Sequence, residues 1–515
     1  MKTMMKCLIL ILAVTLVAVP ASAMEKNMVY SSPYGITTLD PSVSYSTESQ
    51  YLSNMYETLL KVNPPGSKAF FSYVLATGFT ASDDGLEYTF NLRKGVKFHD
   101  GTPFTAEAVK FSIERTTKMG KGAAFIWGDL KEVQVVDDFT VKVILKSPAP
   151  LPMIAASADG SYIMSPSVGD KGQEWFDEGN DAGSGPYTLK NYKSGESWIL
   201  GKFDGYWGGW SGKHIENILV KYTKDGLVQL KMLQSNEAML AGRLPIDSYA
   251  KVREADNTKV INGPSYVNYM AFFNTRRPPL DRQKVRKALA HAIPYDDIIK
   301  IGFDGLATQA RGPVPKGQFG YSEKVIQYEY NLDKARSLLA QAGFPDGGFK
   351  LTLTYAAENV SEGRFAPLIQ SEFKKLGIEV EVKGITWTQQ WAKAKGNPKE
   401  AQDIFLLTWW PTYSDPYETL YSLLHNEKDK PVWNLAYYVN PAYDNMIRKA
   451  YEMIGSNPDG ALDLYIQAQN IVQKDAPVAW LADIVATWPM NSKLQGLVIN
   501  PAYPNTPFFY DMYIE

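Results

Sequence analysis

Apolar and polar positions mark out the elements of this chain one after another. Leu86, Tyr88, Phe90 and Leu92 alternate with Glu87, Thr89 and Asn91, a period of two that predicts a half-buried strand. Arg93-Lys94-Gly95 predicts a turn into a second strand carrying Val96 and Phe98. Thr105 then stands as a helix cap, with Ala108, Val109, Ser112 and Ile113 on one helical face and Phe104 placed to staple onto Val109. Val141, Val143 and Leu145 alternate again and predict a hairpin around Asp137-Asp138. Upstream, Met28-Val29-Tyr30 predicts a first short strand. Tyr51, Met55, Leu59 and Leu60 predict one face of a helix after the polar loop 37–50.

The second half alternates helix and strand, which predicts an α/β arrangement. An aromatic strand within 265–280 stops at Pro278-Pro279, and Val285, Ala288, Leu289, Ala292 and Ile293 share one face of the helix that follows. Phe365, Leu368, Ile369, Phe373 and Leu376 lie at helical spacing, and Ile378, Val380 and Val382 alternate behind them. The most informative stretch is 403–424, DIFLLTWWPTYSDPYETLYSLL. Ile404 to Leu407 form a continuous apolar run, the pattern of a strand buried on both faces. Asp415, Pro416 and Glu418 have the spacing of an N-cap, a first-position proline and a capping-box partner. Between strand and helix lies an aromatic loop, the kind of place where layered α/β proteins form ligand pockets.

Length and charge narrow the class. The 515 residues suggest three or four domains, and 53 basic against 55 acidic residues leave no basic stripe for nucleic acid. Lys2 and Lys6 precede an apolar segment from Cys7 to Val19, and Pro20 leads into the small-x-small pattern Ala21-Ser22-Ala23, which predicts a secretory signal peptide over 1–23. That segment is shorter than the roughly 20 residues a membrane span needs. Cys7, the one cysteine, lies inside the apolar region, so no lipid anchor is expected, and disulfides and thiolate chemistry are excluded from the mature chain.

Catalytic motifs are absent from the sequence. His99, His214, His291 and His425 show no metal-ligand spacing, and no hydrolase, zincin, phosphate-loop or dinucleotide fingerprint occurs. A secreted hydrolase using two carboxylates stays as a remote alternative, since such pairs meet only in three dimensions.

The run SDDGLEYTFNLRKGVKFHDGTPFTAEAVKFSIER, 82–115, resembles the signature segment of the family 5 extracellular solute-binding proteins, the dipeptide, oligopeptide and nickel binders of ABC importers. LDP at 39–41, YETLL at 56–60, GSGPYTL at 183–189, FDGYWGG at 203–209, LDRQKVRKALAHAI at 280–293, LGIEVEV at 376–382 and DIFLLTWWPTYSDP at 403–416 follow in the family's order. The resemblance implies an α/β, two-lobed periplasmic binding protein fold of the large, three-subdomain type, with a ligand cleft between the lobes. It implies a first lobe from 24–58, 181–268 and 488–515, an accessory subdomain over 59–180, and a second lobe over 269–487. It further implies a periplasmic monomer that takes a small-molecule or peptide ligand, needs no cofactor or metal, works with an ABC transporter permease and is not an enzyme.

The candidate ligand contacts are Tyr45, Ser46 and Thr47 in the polar loop, Trp387, and Trp409, Trp410, Thr412, Tyr413 and Asp415 in the aromatic loop. Asp415 has a second reading as the helix cap. Peptide-binding members carry an aspartate three positions before the acidic-Pro pair, where it grips the peptide ammonium; this chain has Thr412 there. A buried ammonium without a counter-charge costs on the order of 3–5 kcal/mol, whereas a neutral hydroxyl returns about 1 kcal/mol. An arginine that dipeptide binders use for the carboxylate would fall near 356–358, where no basic residue stands; Arg364 is the nearest and suits a helix surface. The expected ligand is a peptide-like or other small polar solute, with an oligosaccharide or a metal chelate as alternatives.

Overall fold

The computed structural model describes residues 26–45, 47–426, 433–454 and 457–515; Ser46 and the leader predicted over 1–23 lie outside them. Two large sheets organise the described residues. The first has seven strands, in the order Thr258–Gly263, Ala486–Asn491, Leu240–Ala241, Asn27–Ser32, Asn217–Tyr222, Ser197–Lys202 and Tyr187–Lys193. The second has six, in the order Ala307–Gln309, Val478–Ile484, Asn268–Phe273, Ile404–Trp409, Lys350–Ala356 and Glu379–Ile385. The chain passes between them at 264–267 and again at Val485. These crossings fix which ends of the strands look across the gap between the lobes.

Ile404–Trp409 sits between the Asn268–Phe273 and Lys350–Ala356 strands. Both its faces are covered, as its unbroken apolar run predicts. Ile404 and Leu406 pack with Ala271, Phe365 and Ile369, while Phe405, Leu407 and Trp409 pack with Leu420, Tyr443 and Val472 on the other side. A smaller four-stranded antiparallel sheet, Ala76–Ala81, Glu87–Leu92, Thr140–Leu145 and Leu130–Asp137, forms a separate core with the Ala106–Met119 helix. There Tyr88, Phe90 and Leu92 point inward, and Ala108, Val109, Ser112 and Ile113 are the buried helix face.

Two expectations are corrected. Val96 and Phe98 are buried but form no second strand on the predicted hairpin: Glu87–Leu92 already pairs with Ala76–Ala81 on one side and Thr140–Leu145 on the other, so 93–104 folds on itself as a loop. The first helix runs only over Ser49–Met55. Tyr51, Leu52 and Met55 belong to the core under the seven-stranded sheet, whereas Leu59 and Leu60 belong to that of the four-stranded sheet, so the chain must leave the helix to reach its second core.

Candidate functional site

The facing edges of the two sheets define the gap between the lobes. Register puts Ser32, Tyr222, Ala241, Gly263 and Ala486 at one edge of the first sheet. Trp409, Asn268 and Asp483 are directly aligned at the corresponding edge of the second. The aromatic loop leaves this second edge, and each of its residues goes somewhere different.

Trp409 is buried in the second lobe, edge-on to Trp433 at 5.4 Å. Trp410 is half exposed. Tyr413 leaves its own lobe and is buried in the core of the four-stranded subdomain, with Ile126, Ile154 and Tyr503. Thr412 is the meeting point. Its carbonyl accepts from Ser157 Oγ of the accessory subdomain at 2.8 Å, and its Oγ1 lies 3.0 Å from the Tyr45 hydroxyl of the first lobe. Tyr45 is exposed, braced edge-on by Phe125, and Thr47 is half-buried with its carbonyl accepting from the Gln50 side chain. Two further bonds tie the lobes: Tyr451 donates to Asp129 at 3.1 Å, and Arg364 pairs with Asp247 at 3.2 Å.

Asp415 and Glu418 are one helical turn apart and differ in what they do. Asp415 is fully buried, caps the Pro416–Leu424 helix by accepting from the Tyr417 N–H at 2.8 Å, and also accepts from the Tyr465 hydroxyl at 3.1 Å. That position serves the helix and the core. Glu418 does not close a capping box, because the Asp415 N–H is already bonded to the Tyr413 carbonyl. Its carboxylate turns to Thr412, accepting from Oγ1 at 3.3 Å, and Oε2 has no hydrogen-bond partner although the residue is only 3% exposed. Burial pushes the Glu418 carboxyl up to about 8, against hydrogen-bonding groups of Trp409, Thr412 and Thr419, and pushes Asp415 up to about 6.

The first lobe brings further acids to the same place. Asp159 follows Ser157 by two residues, its N–H bonded to Ser157 Oγ, and its Oδ1 is shielded from solvent and unpartnered. Burial, then the charge of Glu48, push it up to about 7. Glu48 is 1% exposed, holds the Thr37 N–H at 2.9 Å with Oε1, and leaves Oε2 unpartnered. Glu418, Asp159 and Glu48 escape a reading of the sequence. Glu418 reads there as a capping residue, and the other two have no local pattern at all.

Trp387 lies apart from Thr412, stacked at 5.8 Å on Trp391, which in turn stacks on Trp433 at 4.3 Å. Arg243 was also missed. It is exposed just beyond the Leu240–Ala241 strand, where Tyr34 and, from the second lobe, Tyr269 are its electrostatic neighbours. The four histidines are engaged locally: His99 with Asp181 and the Gly185 carbonyl, His214 with the Tyr510 carbonyl, His291 with the Glu329 carbonyl, and His425 with Asp444. Among the described residues no group of acids, histidines and cysteines has a metal-holding arrangement, and no helix is long and apolar enough to cross a membrane. Two cavities, of about 970 and 260 Å³, open elsewhere on the first lobe, and no residue of the second lobe lines either.

Two lobes joined by two crossings, with side chains of both meeting at the sheet edges, define a two-lobed solute-binding protein of the periplasmic type. The family model described as bacterial extracellular solute-binding proteins, family 5 Middle, matches residues 71–431, and the chain belongs to that family. The glutathione-binding protein GsiB of Salmonella choleraesuis (strain SC-B67) is 30% identical over 507 residues, 97% of this chain and 96% of that protein. The probable D,D-dipeptide-binding periplasmic protein DdpA of Escherichia coli (strain K12) is 28% identical over 96% of this chain and 95% of its own length. Among solved structures, the ABC transporter-associated periplasmic binding protein DppA of Helicobacter pylori, in complex with peptide STSA, superposes with a TM-score of 0.78 at 26% identity, covering 96% of this chain and 99% of that one.

Proposed function

We propose that this chain captures a peptide-like solute between its lobes and presents it to the permease of an ABC importer. In this reading it acts in the periplasm, after loss of residues 1–23, as a monomer that does no chemistry on the solute and binds no nucleic acid. The lobes would divide as 24–58, 181–268 and 488–515 for the first, with 59–180 as its accessory subdomain, and 269–487 for the second. The observation that carries the reading is Thr412, a second-lobe residue whose carbonyl and hydroxyl are both bonded from the opposite side, by Ser157 and Tyr45. Contacts of this kind exist only when the lobes are together. A solute that touches both lobes adds its own contacts to the closed arrangement and none of equal strength to the open one, which is what shifts a two-state equilibrium.

The ligands named for the relatives, glutathione, a D,D-dipeptide and the peptide STSA, support a peptide-like solute. Arg243, exposed at the sheet edge, supports the same class, because a guanidinium in that position can hold a carboxylate through two hydrogen bonds. Tyr45, Thr47, Trp410 and Thr412 are the proposed wall contacts, with Trp409, Tyr413 and Asp415 holding the loop that carries them. Ser46, also a candidate, lies outside the described residues. Trp387, in its own indole stack, is the proposed platform for a solute's apolar end.

The test is thermal unfolding of the mature protein against peptides, glutathione, oligosaccharides and metal chelates, followed by native mass spectrometry of protein purified from its own host. Peptide-like solutes are expected to raise Tm, by the equivalent of about 2.7 kcal/mol at a hundredfold excess over Kd. A rise with saccharides or chelates alone would overturn the peptide reading, and turnover of any solute would overturn the non-enzymatic one.

A further inference from the structure

Two sequence motifs that the gap between the lobes leaves unused, YETLL at 56–60 and FDGYWGG at 203–209, meet in the smaller of the two cavities. It holds about 260 Å³ and draws its walls from 53–61, 206–207 and 503–511, with Tyr73, Val74, Ala158 and Tyr162 of the accessory subdomain. Rings dominate these walls. Tyr206 lies edge-on to Tyr510 at 5.1 Å and beside Trp207 at 5.5 Å, and Tyr503 is edge-on to Phe508 at 5.5 Å. Nearly every polar hydrogen of the lining is spent inside the protein. Trp207 Nε1 and the Tyr206 hydroxyl donate to the Glu57 carboxylate, which also accepts from Ser184. The Tyr510 hydroxyl donates to the Gly209 carbonyl, that of Tyr503 to Ala156, and the Asn54 amide to Gln50 and Pro507. Ser53 and Tyr162 bond each other, Thr58 turns back on Leu60, and Tyr73 is 47% exposed to solvent.

Lys61 is the exception. Leu60 and Val62 are buried in the core of the four-stranded subdomain, so the alternation of their short strand sends Lys61 to the opposite side, where it lines the cavity. Its Nζ stands 3.2 Å from the centre of the Phe508 ring and 6.0 Å from that of Tyr503, and among the described residues it makes no hydrogen bond and no ion pair. Burial pushes this ammonium down to about 8, while Asp511 and Glu57 pull the other way from beyond ion-pair distance. A ring face meets one side of an ammonium and accepts weakly, which leaves N–H bonds for a stronger acceptor. Neither acid supplies it: both oxygens of Glu57 are occupied, and Asp511 is exposed. The acceptor that restores most to a partly desolvated ammonium is a carboxylate, through charge-assisted bonds.

We propose that this cavity is a second small-molecule site, taking an aromatic acid whose carboxylate pairs with Lys61 and whose ring lies among Tyr206, Trp207, Phe508 and Tyr510. It does not depend on what the gap between the lobes binds. No second-lobe residue lines the cavity, so the acid enters without lobe closure. The walls come from the body of the first lobe, from its accessory subdomain and from 503–511, so an occupant ties three parts of the lobe together.

The experiment sets benzoate, phenylacetate and indole-3-acetate against benzamide, phenylacetamide and indole-3-acetamide, titrated calorimetrically into the mature protein at pH 7. At least one acid is expected to bind tenfold or more tightly than its own amide. K61M, which keeps an unbranched apolar stem on the rings, is expected to reduce that ratio to twofold or less. A second measurement needs no variant: acetylation of Lys61 by acetic anhydride in the native protein, followed by peptide mass mapping, is expected to slow at least fivefold at a saturating concentration of the acid. Equal binding of acids and amides, a ratio that survives in K61M, a Lys61 that the acid leaves unprotected, or binding of neither series would each overturn the site.

Discussion

Two groups of buried acids in this molecule are treated in opposite ways. In the body of the first lobe, Asp40 is fully buried and held by Arg115 through two hydrogen bonds of 2.7 Å each, and Asp181 is held by His99, the Gly185 carbonyl taking the other ring nitrogen. Burial would raise the Asp181 carboxyl, but the charge and hydrogen bond of His99 outweigh it and the group lies below its ordinary range. At the meeting of the lobes, Glu418 is buried and Asp159 half-buried with a shielded Oδ1, neither pairs with a cation among the described residues, and they are driven up to about 8 and 7. Asp40 and Asp181 carry their counter-charge with them, in Arg115 and His99.

Breaking the compensated group should have the largest effect. Arg115→Ala strands the Asp40 carboxylate in the core, and a loss of about 3–5 kcal/mol is expected in urea unfolding. Lobe closure is not expected to change selectively. Equal stability of variant and native protein would mean that the two groups do not differ in kind.

The second test is pH. Glu57, Asp159, Glu362, Glu418 and Asp483 are raised by burial to about 7 or 8, and Asp415 to about 6. Each holds its proton more tightly folded than unfolded, so the native state carries more protons between the ordinary carboxyl range near 4 and these values. Stability is then greatest below that window and falls as pH rises through it. The raised His99 acts in the same direction above its ordinary value, while the depressed Asp181 opposes only at acid pH. The ligand-free protein should therefore melt several degrees lower at pH 8 than at pH 5, and E418Q or D159N should flatten the profile. A native profile that stays flat, or that E418Q and D159N leave unchanged, would contradict the raised state of the acids at the lobe contact.

Smaller changes sharpen the comparison within one helical turn. Asp415→Ala removes the cap and should cost about 0.5–2 kcal/mol with or without solute, whereas E418Q should leave the ligand-free protein as stable at pH 8 or more so. Tyr45→Phe deletes one hydroxyl from the lobe contact, and about 1 kcal/mol of solute affinity, roughly fivefold, is expected by calorimetry. Arg364→Ala should be the least of these, within about 1 kcal/mol, because its partner Asp247 is 81% exposed and such pairs are weak.

Local pattern carried much of the fold. The continuous run at 404–407 became a strand covered on both faces, the alternation at 86–92 became an inward-facing strand, and Asp415-Pro416 became a capped helix start. Each of these depends on neighbours within a few residues, where periodicity and capping chemistry act directly. The misses came where a second core competed. The helix predicted past Met55 ends because Leu59 and Leu60 have another core to enter, and Val96–Phe98 loses its ladder because both edges of Glu87–Leu92 are taken.

The aromatic loop divides along the same line. The sequence by itself determined that a buried strand ends in a ring-rich loop, that a helix starts at Pro416, and that position 412 is neutral. Only the tertiary structure decided that Tyr413 packs into the opposite lobe, that Asp415 faces inward, and that Glu418 turns away from its cap toward Thr412. It also brought Asp159 and Glu48, more than 250 residues away in the chain, to the same contact. The reason is physical: a cap or a strand face is set by spacing, but the charge balance of a buried acid is set by whatever the rest of the chain puts beside it.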